Sequence, residues 1–334
     1  MKPSGGIEYY RENLQMRIRR FALAVAGLSL VTGAVAANPA GAEVQGKPQP
    51  RAATGAEPIV RAKAATGACS VVVGAVTAAG QNGGYRITAT RPVTEEEAGS
   101  YKMFAVRASS TWFAWAGSGT TKYFTGMLLV GGSLYTAVES YKTPTTTTPV
   151  VSWKRLGTGW ASFTSIASSR YVNGQNVAER SYLYGLSTNG SLYRYSINGP
   201  TGPVSAAGSA VGYKSFRSIT TIAEAATYDT LLGVTKAGGI YTIHLPKTTT
   251  LKGTLKAVRT TGFGAYQQLV AERCGNSGGT LLTGFNNTAH TATVYALSKA
   301  KGSQTVVNTI GSVALPQNGT VHFRYITNTN LIGE

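Results

Sequence analysis

Acidic residues are scarce in this sequence. Among its 334 residues there are 13 Asp and Glu against 31 Lys and Arg, and Asp229 is the only aspartate. Repeated Asp-rich calcium loops are therefore excluded. The formal net charge is +18, but the basic residues are scattered, and no block of like charge predicts nucleic-acid binding. The densest group, Lys252, Lys256 and Arg259, is interpreted as a solvated strand face, with a general attraction to anionic surfaces.

Long apolar runs are also missing, except at 21–36. That run of about 16 uncharged residues is short for a membrane span, which needs about 20. It follows the basic segment 16–20 and precedes small residues suited to a signal peptidase. We therefore predict that residues 1–36 are a signal peptide, cleaved after Ala36 or Ala42, and that the chain is secreted without a stable membrane span. A retained anchor is the alternative.

The remaining sequence divides into two parts by composition. Residues 37–66 are rich in Ala, Pro and Gly without an apolar period, which predicts a disordered linker. Residues 67–334 lack a helical period and are rich in Gly, Tyr, Thr, Ser and Val, a composition that favours strands and tight turns. We predict an all-β domain there. Either Met1 or Met16 is compatible with the start of translation.

Cys69 and Cys274 are the only two cysteines. Export makes oxidation the default state of such a pair. We predict one disulfide, which would join the first strand of the domain to a late unit.

Residues for metal or cofactor binding show no usable spacing. His244, His290 and His322 are dispersed, and the acidic run 95–97 has no histidine or aspartate near it in sequence. The run is interpreted as a solvated loop rather than a metal site. No metal and no cofactor is predicted.

The segment 274–279 resembles the Gly-Asp-Ser-Gly-Gly sequence around the nucleophile of trypsin-type proteases. Asn276 replaces the aspartate, however, and the order of the other triad residues is reversed, so we interpret it as a glycine-rich loop. A hydrolase would need two carboxyls placed across a substrate. Glu224, Asp229 and Glu272 are isolated candidates for that alternative, and no catalytic residue is predicted.

One short pattern recurs through the domain: glycine, three residues, an aromatic residue, two residues, an aliphatic residue. Four copies are intact: Gly159/Phe163/Ile166, Gly212/Phe216/Ile219, Gly262/Tyr266/Leu269 and Gly319/Phe323/Ile326. A fifth, degenerate copy runs from Thr120 through Phe124 to Met127.

Apolar-aromatic hairpins alternate with these copies. They start near residues 103, 134, 183, 231 and 281, and the last four starts give a period of about 49 residues, as in propeller-type repeats. We predict a five-bladed β-propeller in which the last strand completes the blade begun by the hairpin at 103, because closure removes open strand edges. A six-bladed ring, with 70–90 as an extra partial blade, is the alternative.

The repeat with Trp160 and Phe163, followed by the hairpin 183–195, resembles the repeats of tachylectin-type β-propeller lectins over about residues 100–330. That resemblance implies a five-bladed propeller that binds N-acetylated amino sugars in shallow sites between neighbouring blades. The chain is accordingly expected to be a secreted, non-catalytic glycan-binding protein.

Candidate ligand-binding residues combine aromatic rings, which stack on sugars, with an amide that orients the polar rim. The rings also suit packing between blades, which is the competing interpretation. Expected partners are glycans such as cell-surface or cell-wall polysaccharide. An extracellular protein-interaction or adhesion scaffold is the alternative function. The candidates are Trp153, Trp160, Tyr195, Asn198 and Tyr213.

Overall fold

A computed structural model describes residues 68–116, 120–142, 148–175, 177–326 and 330–334. The described residues form strands and turns without a helix, which confirms the all-β prediction. None of them forms a helix of the length and apolarity needed to cross a membrane. The predicted signal peptide and linker lie outside the described residues.

Twenty-one strands follow one another in the described residues. They are β1 (Ser70–Thr77), β2 (Gln81–Thr88), β3 (Thr94–Lys102), β4 (Ala108–Ser109), β5 (Trp112–Ala116), β6 (Thr121–Val130), β7 (Ser133–Lys142), β8 (Val150–Thr158), β9 (Phe163–Val172), β10 (Ala178–Ser187), β11 (Leu192–Ile197), β12 (Val204–Ala210), β13 (Phe216–Glu224), β14 (Tyr228–Thr235), β15 (Ile240–Pro246), β16 (Thr254–Arg259), β17 (Gln268–Cys274), β18 (Gly279–Asn286), β19 (Thr291–Leu297), β20 (Val307–Ala314) and β21 (Gly319–Ile326).

These strands pair as antiparallel meanders, which we call blades. Blade 1 is β21-β1-β2-β3, and blade 2 is β4 and β5 followed by β6-β7-β8. Blade 3 is β9 to β12, blade 4 is β13 to β16 and blade 5 is β17 to β20. A short parallel pairing of Tyr325 with Trp112 joins blades 1 and 2 into one sheet.

The innermost strands contact one another in cyclic order. β21 contacts β4 and β5, β4 contacts β9, β9 contacts β13, β13 contacts β17, and β17 contacts β21 again. The innermost strands of these meanders therefore surround one axis in the described part of the chain, and the β-propeller prediction is confirmed. The last strand pairs with the first, with Phe323 opposite Gly74, as expected for ring closure.

The prediction that the hairpin at 103 begins the closing blade is wrong. The segment 103–106 is not a strand, because it connects blade 1 to blade 2 and its Met103 N–H donates to the Gly80 carbonyl in a turn of blade 1. The three other strands of the closing blade are β1, β2 and β3, so residues 70–90 are not an extra unit. The degenerate copy at Thr120 leads into β6, the second strand of blade 2.

Each blade places a glycine of one strand beneath an aromatic ring that lies in the innermost strand or, in blade 5, two residues before it. A Cβ on any of these glycines would lie within van der Waals overlap of the ring, for example 2.6 Å from Phe163 at Gly185. The pairs are Gly74/Phe323, Gly126/Trp112, Gly185/Phe163, Gly233/Phe216 and Gly284/Tyr266. The glycines of the hairpins and the aromatics of the repeat are thus two halves of one packing unit.

The aromatic residue that directly follows the glycine of the repeat, such as Trp160 or Tyr213, joins neighbouring blades through its backbone N–H. The Trp160 N–H donates to Gly132 in the β6–β7 turn of blade 2 at 3.0 Å, and the Tyr213 N–H donates to Gly190 in the β10–β11 turn of blade 3 at 2.9 Å. Gly190 has a φ of 85°, the left-handed conformation that an Asn-Gly pair such as Asn189-Gly190 favours in tight hairpin turns. In both cases this position of the repeat is hydrogen-bonded to a turn of the preceding blade.

Cys69 and Cys274 form the predicted disulfide, with their Cα atoms 5.6 Å apart. Cys69 precedes β1 of blade 1, and Cys274 ends β17 of blade 5. The bond therefore joins blade 1 to the neighbouring blade 5.

Candidate functional site

Two of the sequence-predicted ligand residues meet between blades 2 and 3. The Trp160 and Tyr195 rings lie 4.9 Å apart, centroid to centroid, and Trp160 also contacts Phe163 at 4.5 Å. Only 6% of Trp160 is exposed. Its ring faces are covered by protein, so this residue packs the interface between blades and has no open face for a sugar.

The other predicted residues lie elsewhere. Tyr213 is 3% exposed and packs at the interface of blades 3 and 4. Trp153 is 50% exposed, and it lies against Phe104 on the side of blade 2 that faces blade 1. Asn198 is exposed in the β11–β12 loop, where its N–H donates to Pro203. The structure therefore does not bring the five predicted residues into one site.

A cavity of about 390 Å³ opens between blades 4 and 5. This volume falls in the range of ligand pockets, roughly 300–1,000 Å³. One wall comes from blade 4, one from the β17–β18 loop of blade 5, and one from the segment 330–334. The lining residues are Ala223, Glu224, Ala225, Tyr228, Asn276, Ser277, Gly278, Lys299, Leu331, Ile332 and Glu334.

The blade 5 wall is the glycine-rich loop noted in the sequence. Gly275 and Gly278 have φ values of 73° and 84°, a left-handed conformation that glycine adopts readily. Arg273 shapes the loop by donating to the Gly275 carbonyl at 3.0 Å and to the Asn276 side-chain oxygen at 2.7 Å. In the described part of the chain, the Asn276 amide nitrogen and the Ser277 hydroxyl have no hydrogen-bond partner, and both residues are exposed.

The blade 4 wall presents a tyrosine ring. Tyr228, the first residue of β14, is half-buried, and its ring lies 4.4 Å from the ring of His244. Burial and the nearby Glu334 carboxylate raise the pKa of Tyr228 above its ordinary value, so the hydroxyl stays neutral. The Glu334 carboxylate lies 2.7 Å from Nδ1 of His244 and accepts a hydrogen bond from Thr230.

The segment 330–334 forms the third wall because it is hydrogen-bonded to both blades. The Gly333 N–H donates to Ile222 of blade 4 at 2.8 Å, and the Gly333 carbonyl accepts from Ala300 of blade 5 at 2.7 Å. The Leu331 N–H donates to the buried carboxylate of Glu224 at 3.0 Å. This packing fixes the position of the Glu334 side chain.

Glu224 was a candidate for the hydrolase alternative and does line the cavity. Burial raises its pKa to about 7, while the Arg324 charge and two backbone N–H donors oppose the shift. Its two oxygens accept from the Leu331 N–H and from the Arg170 N–H at 2.9 Å. Both oxygens are thus held by backbone N–H groups, and Glu224 is only 3% exposed, which leaves its carboxyl little access to a substrate.

The other two hydrolase candidates are also engaged. Asp229 is buried and pairs with Arg180 at 2.5 Å, with Ser169 and Tyr184 each donating to it at 2.7 Å. Glu272 pairs with Arg324 at 2.8 Å and 2.9 Å. These carboxylates hold neighbouring blades together, and the three hydrolase candidates do not form a pair of free carboxylates across a cleft.

Two smaller cavities offer less room. The central channel encloses about 100 Å³ and is lined mainly by hydroxyl and amide side chains of the innermost strands. Between blades 2 and 3 about 20 Å³ remains, because the Arg170 guanidinium fills the space between Phe113 and Trp115, 4.5 Å and 4.6 Å from their ring centroids. That space holds about one water molecule.

No group of three His, Cys, Asp or Glu residues in the described ranges has the arrangement of a metal site. The acidic run 95–97 belongs to β3 rather than to a loop, since Glu97 pairs with Tyr85 in the β2–β3 ladder. Its solvated character holds for Glu96 and Glu97, which are exposed.

Apart from Glu224, sequence reasoning misses the residues that line the largest of these cavities. It treats Asn276 and Ser277 only as part of a glycine-rich loop, and it does not single out Tyr228, Lys299 or Glu334. A glycine-rich loop between two strands was the available signal, because such loops lie at one end of a blade. The contribution of Glu334 depends on a long-range return of the chain, for which the repeat pattern has no signal.

Comparison with known proteins gives structural similarity at low identity. No family model and no curated protein sequence matches the chain. The Aleuria aurantia lectin, described as a six-bladed β-propeller with a fucose recognition mode, is 12% identical over 75% of this chain and 80% of its own, with a TM-score of 0.40. SapL1 lectin in complex with α-methyl fucoside is 10% identical over 78% of this chain and 83% of its own, with a TM-score of 0.37.

A third similar structure is an enzyme. The catalytic domain of a Coprinopsis cinerea GH62 α-L-arabinofuranosidase is 11% identical over 67% of this chain and 74% of its own, with a TM-score of 0.42. Lectins and a hydrolase occur together at these values, so the similarity does not distinguish sugar binding from hydrolysis.

Proposed function

We propose that this protein is an exported, non-catalytic carbohydrate-binding β-propeller whose ligand site is the cavity between blades 4 and 5. The observation that carries the proposal is that Tyr228 and Asn276, whose amide nitrogen has no partner among the described residues, both line a cavity of about 390 Å³. A sugar needs this combination, because its C–H face stacks on an aromatic ring while its hydroxyls need oriented polar groups.

The surrounding chemistry favours binding over hydrolysis. Ser277 adds a hydroxyl that can donate or accept, and Glu334 adds a carboxylate that is already held by His244 and Thr230. Glu224, the other carboxylate in the cavity wall, has both oxygens engaged by backbone N–H groups. Recognition of a sugar requires no free acid or base, whereas glycoside hydrolysis requires a pair.

Export is part of the proposal and has two supports. The sequence of 1–36 has the charge and apolar pattern of a signal peptide. The disulfide between Cys69 and Cys274 is of a kind that persists in oxidising compartments. The resemblance to tachylectin-type repeats agrees with an extracellular glycan as the partner, such as a cell-surface or cell-wall polysaccharide.

Glycan-array binding by the full chain tests the proposal. We expect binding that falls at least tenfold in Tyr228→Ala and in Asn276→Ala, the cost of one lost stacking or hydrogen-bond contact of about 1.4 kcal/mol. Trp153→Ala is the matched control, because it removes a half-exposed aromatic ring from blade 2.

An array without any binding would refute the proposed function. Loss of binding in Trp153→Ala with full binding in Tyr228→Ala would place the site between blades 1 and 2 instead. Circular dichroism of each variant confirms that the β fold is retained.

A further inference from the structure

Three exposed lysines lie on the two blades that form the cavity, and one of them lines it. Lys299 lines the cavity, and its side chain lies against Gly278. Lys301 follows two residues later in the β19–β20 loop. Lys256 lies on β16 of blade 4, and its side chain approaches Gly302 of the same blade 5 loop. We call Lys256, Lys299 and Lys301 the basic rim.

The sheet register shows that Lys256 faces the cavity side of blade 4. Thr254 and His244 are opposite each other in the β15–β16 ladder, and Thr230 is opposite His244 in the β14–β15 ladder. Directly paired residues share one side of a sheet, as do residues two apart on a strand. Lys256 therefore lies on the same side as His244, whose Nδ1 contacts the Glu334 carboxylate in the cavity wall.

The positive charge of the rim is not neutralised by nearby acids. Glu334 contacts His244, and Glu224 is buried with both oxygens hydrogen-bonded. Within the residues that the structure describes, none of the three rim lysines takes part in an ion pair. The described ion pairs are Arg86–Glu96, Arg180–Asp229, His244–Glu334 and Arg324–Glu272.

From this arrangement we infer that the glycan bound between blades 4 and 5 is an acidic polysaccharide, with carboxylate-bearing sugars that flank the residue held at Tyr228. This inference rests on the proposed function and names its ligand class. A linear acidic polymer carries a charge on successive units, and the rim extends from the cavity along both blades. Lysine is suited to this task because its flexible ammonium group pairs with a carboxylate without fixed geometry.

Lysines also protect exposed strand edges from pairing with other chains. Lys256 lies on β16, the outer strand of blade 4, so this alternative needs a control. Lys154 supplies it, because it is exposed on β8, the outer strand of blade 2. Lys214 and Lys236 are exposed near the β12–β13 connection and the β14–β15 turn, at the opposite end of the blades from the rim.

Binding of the full chain to polygalacturonate and to its methyl-esterified form tests the inference, because the two polymers differ in the carboxylate charge. The rim variant is K256Q/K299Q/K301Q, and the control variant is K154Q/K214Q/K236Q. Both lose three positive charges, so long-range attraction changes equally. We expect the rim variant to lose roughly tenfold in affinity for polygalacturonate, the sum of three exposed ion pairs, with no change for the ester. The control variant should keep its affinity to within a factor of about two. None of its lysines lines the cavity, and salt screens the attraction between exposed charges that are far apart.

Equal losses in the two variants would overturn the inference, as would equal binding of the two polymers by the unmodified chain or failure to bind polygalacturonate. Competition by duplex DNA at equal phosphate and carboxylate concentration would do the same, because it would show attraction to any polyanion. The proposed function fails separately. If polygalacturonate binds and depends on the rim but is unaffected by Tyr228→Ala, the cavity is not the sugar site. If neutral glycans bind through Tyr228 without preference for acid, only the ligand class is wrong.

Discussion

Gly74 on β1 lies beneath the ring of Phe323 on β21, where a Cβ would approach the ring carbons to 2.3 Å. The contact joins the first described strand to the last and repeats the glycine-aromatic packing of the other four blades. Ring closure therefore uses the same unit that builds each blade. The disulfide between blades 1 and 5 adds a second connection at this position in the ring.

Gly74→Ala should destabilise the closing blade, because the added methyl group overlaps the Phe323 ring. Overpacking of this kind costs about 1–3 kcal/mol of unfolding free energy. Gly99→Ala on β3 is the control, since a Cβ there meets nothing within 4 Å. Urea denaturation of both variants measures the difference, and equal stability of the two would contradict the packing role of Gly74.

The Cys69–Cys274 disulfide should stabilise the propeller against separation of blades 1 and 5. Its loop spans 205 residues, and removal of a native disulfide typically costs about 2–5 kcal/mol. The double variant C69S/C274S should melt at a lower temperature than the oxidised chain. Reductant should lower the melting temperature of the unmodified chain to that of the variant and leave the variant unchanged. A melting temperature insensitive to reductant would show that the bond adds nothing to stability.

Glu139 gives an expected pH dependence of stability. It is buried between blades 1 and 2, and burial raises its pKa from 4.5 to about 7, although hydroxyls of Tyr101, Tyr325 and Tyr141 and the amide of Asn82 donate to it. Between pH 4.5 and 7 the folded protein therefore binds more protons at this site than the unfolded chain. Its contribution to the unfolding free energy decreases as pH rises through that window.

Glu139→Gln should remove this contribution. Between pH 4.5 and 7, the slope of unfolding free energy against pH should be more positive in the variant than in the unmodified chain. The difference in slope should be at most that of one bound proton, about 1.4 kcal/mol per pH unit. Glu179→Gln, at an exposed position, is the control and should keep the original slope. Identical slopes in all three proteins would contradict proton uptake by Glu139.

Arg217 joins blades 4 and 5 through backbone carbonyls. Its guanidinium donates to Thr235 and Lys236 in blade 4 at 3.2 Å and 3.1 Å, and to Gly264 and Tyr266 at 3.1 Å and 3.2 Å. Arg217→Ala should lower the unfolding free energy by about 2 kcal/mol, because several charge-assisted hydrogen bonds are lost. Arg155→Ala on the exposed β8 strand is the control. Equal effects of the two substitutions on chemical denaturation would argue against a bridging role.

The repeat could be predicted from the sequence because it is local. Phe163, Phe216 and Tyr266 recur at fixed distances from glycines, and each contacts a glycine of its own blade. The disulfide was predicted from the two cysteines and the expected export of the chain. The assignment at 103 failed because of a contact between distant residues. Met103 belongs to an apolar run, but its N–H donates to the Gly80 carbonyl in a turn of blade 1.

The site could not be predicted in the same way. Trp160 and Tyr213 have the aromatic character of sugar-binding residues, but side-chain type does not show which side of a blade a residue faces or what covers it. Both rings are covered by the neighbouring blade. Tyr228 became a candidate only because the segment 330–334 returns to blade 4, a contact with no counterpart in the other repeats.

A crystal structure of the full chain with a glycan selected on the array is the most direct measurement. The sugar should lie between blades 4 and 5, with its ring against Tyr228 and a hydroxyl within hydrogen-bond distance of the Asn276 amide nitrogen. A sugar bound at Trp153, in the central channel or at any other interface between blades, with this cavity empty, would contradict the account.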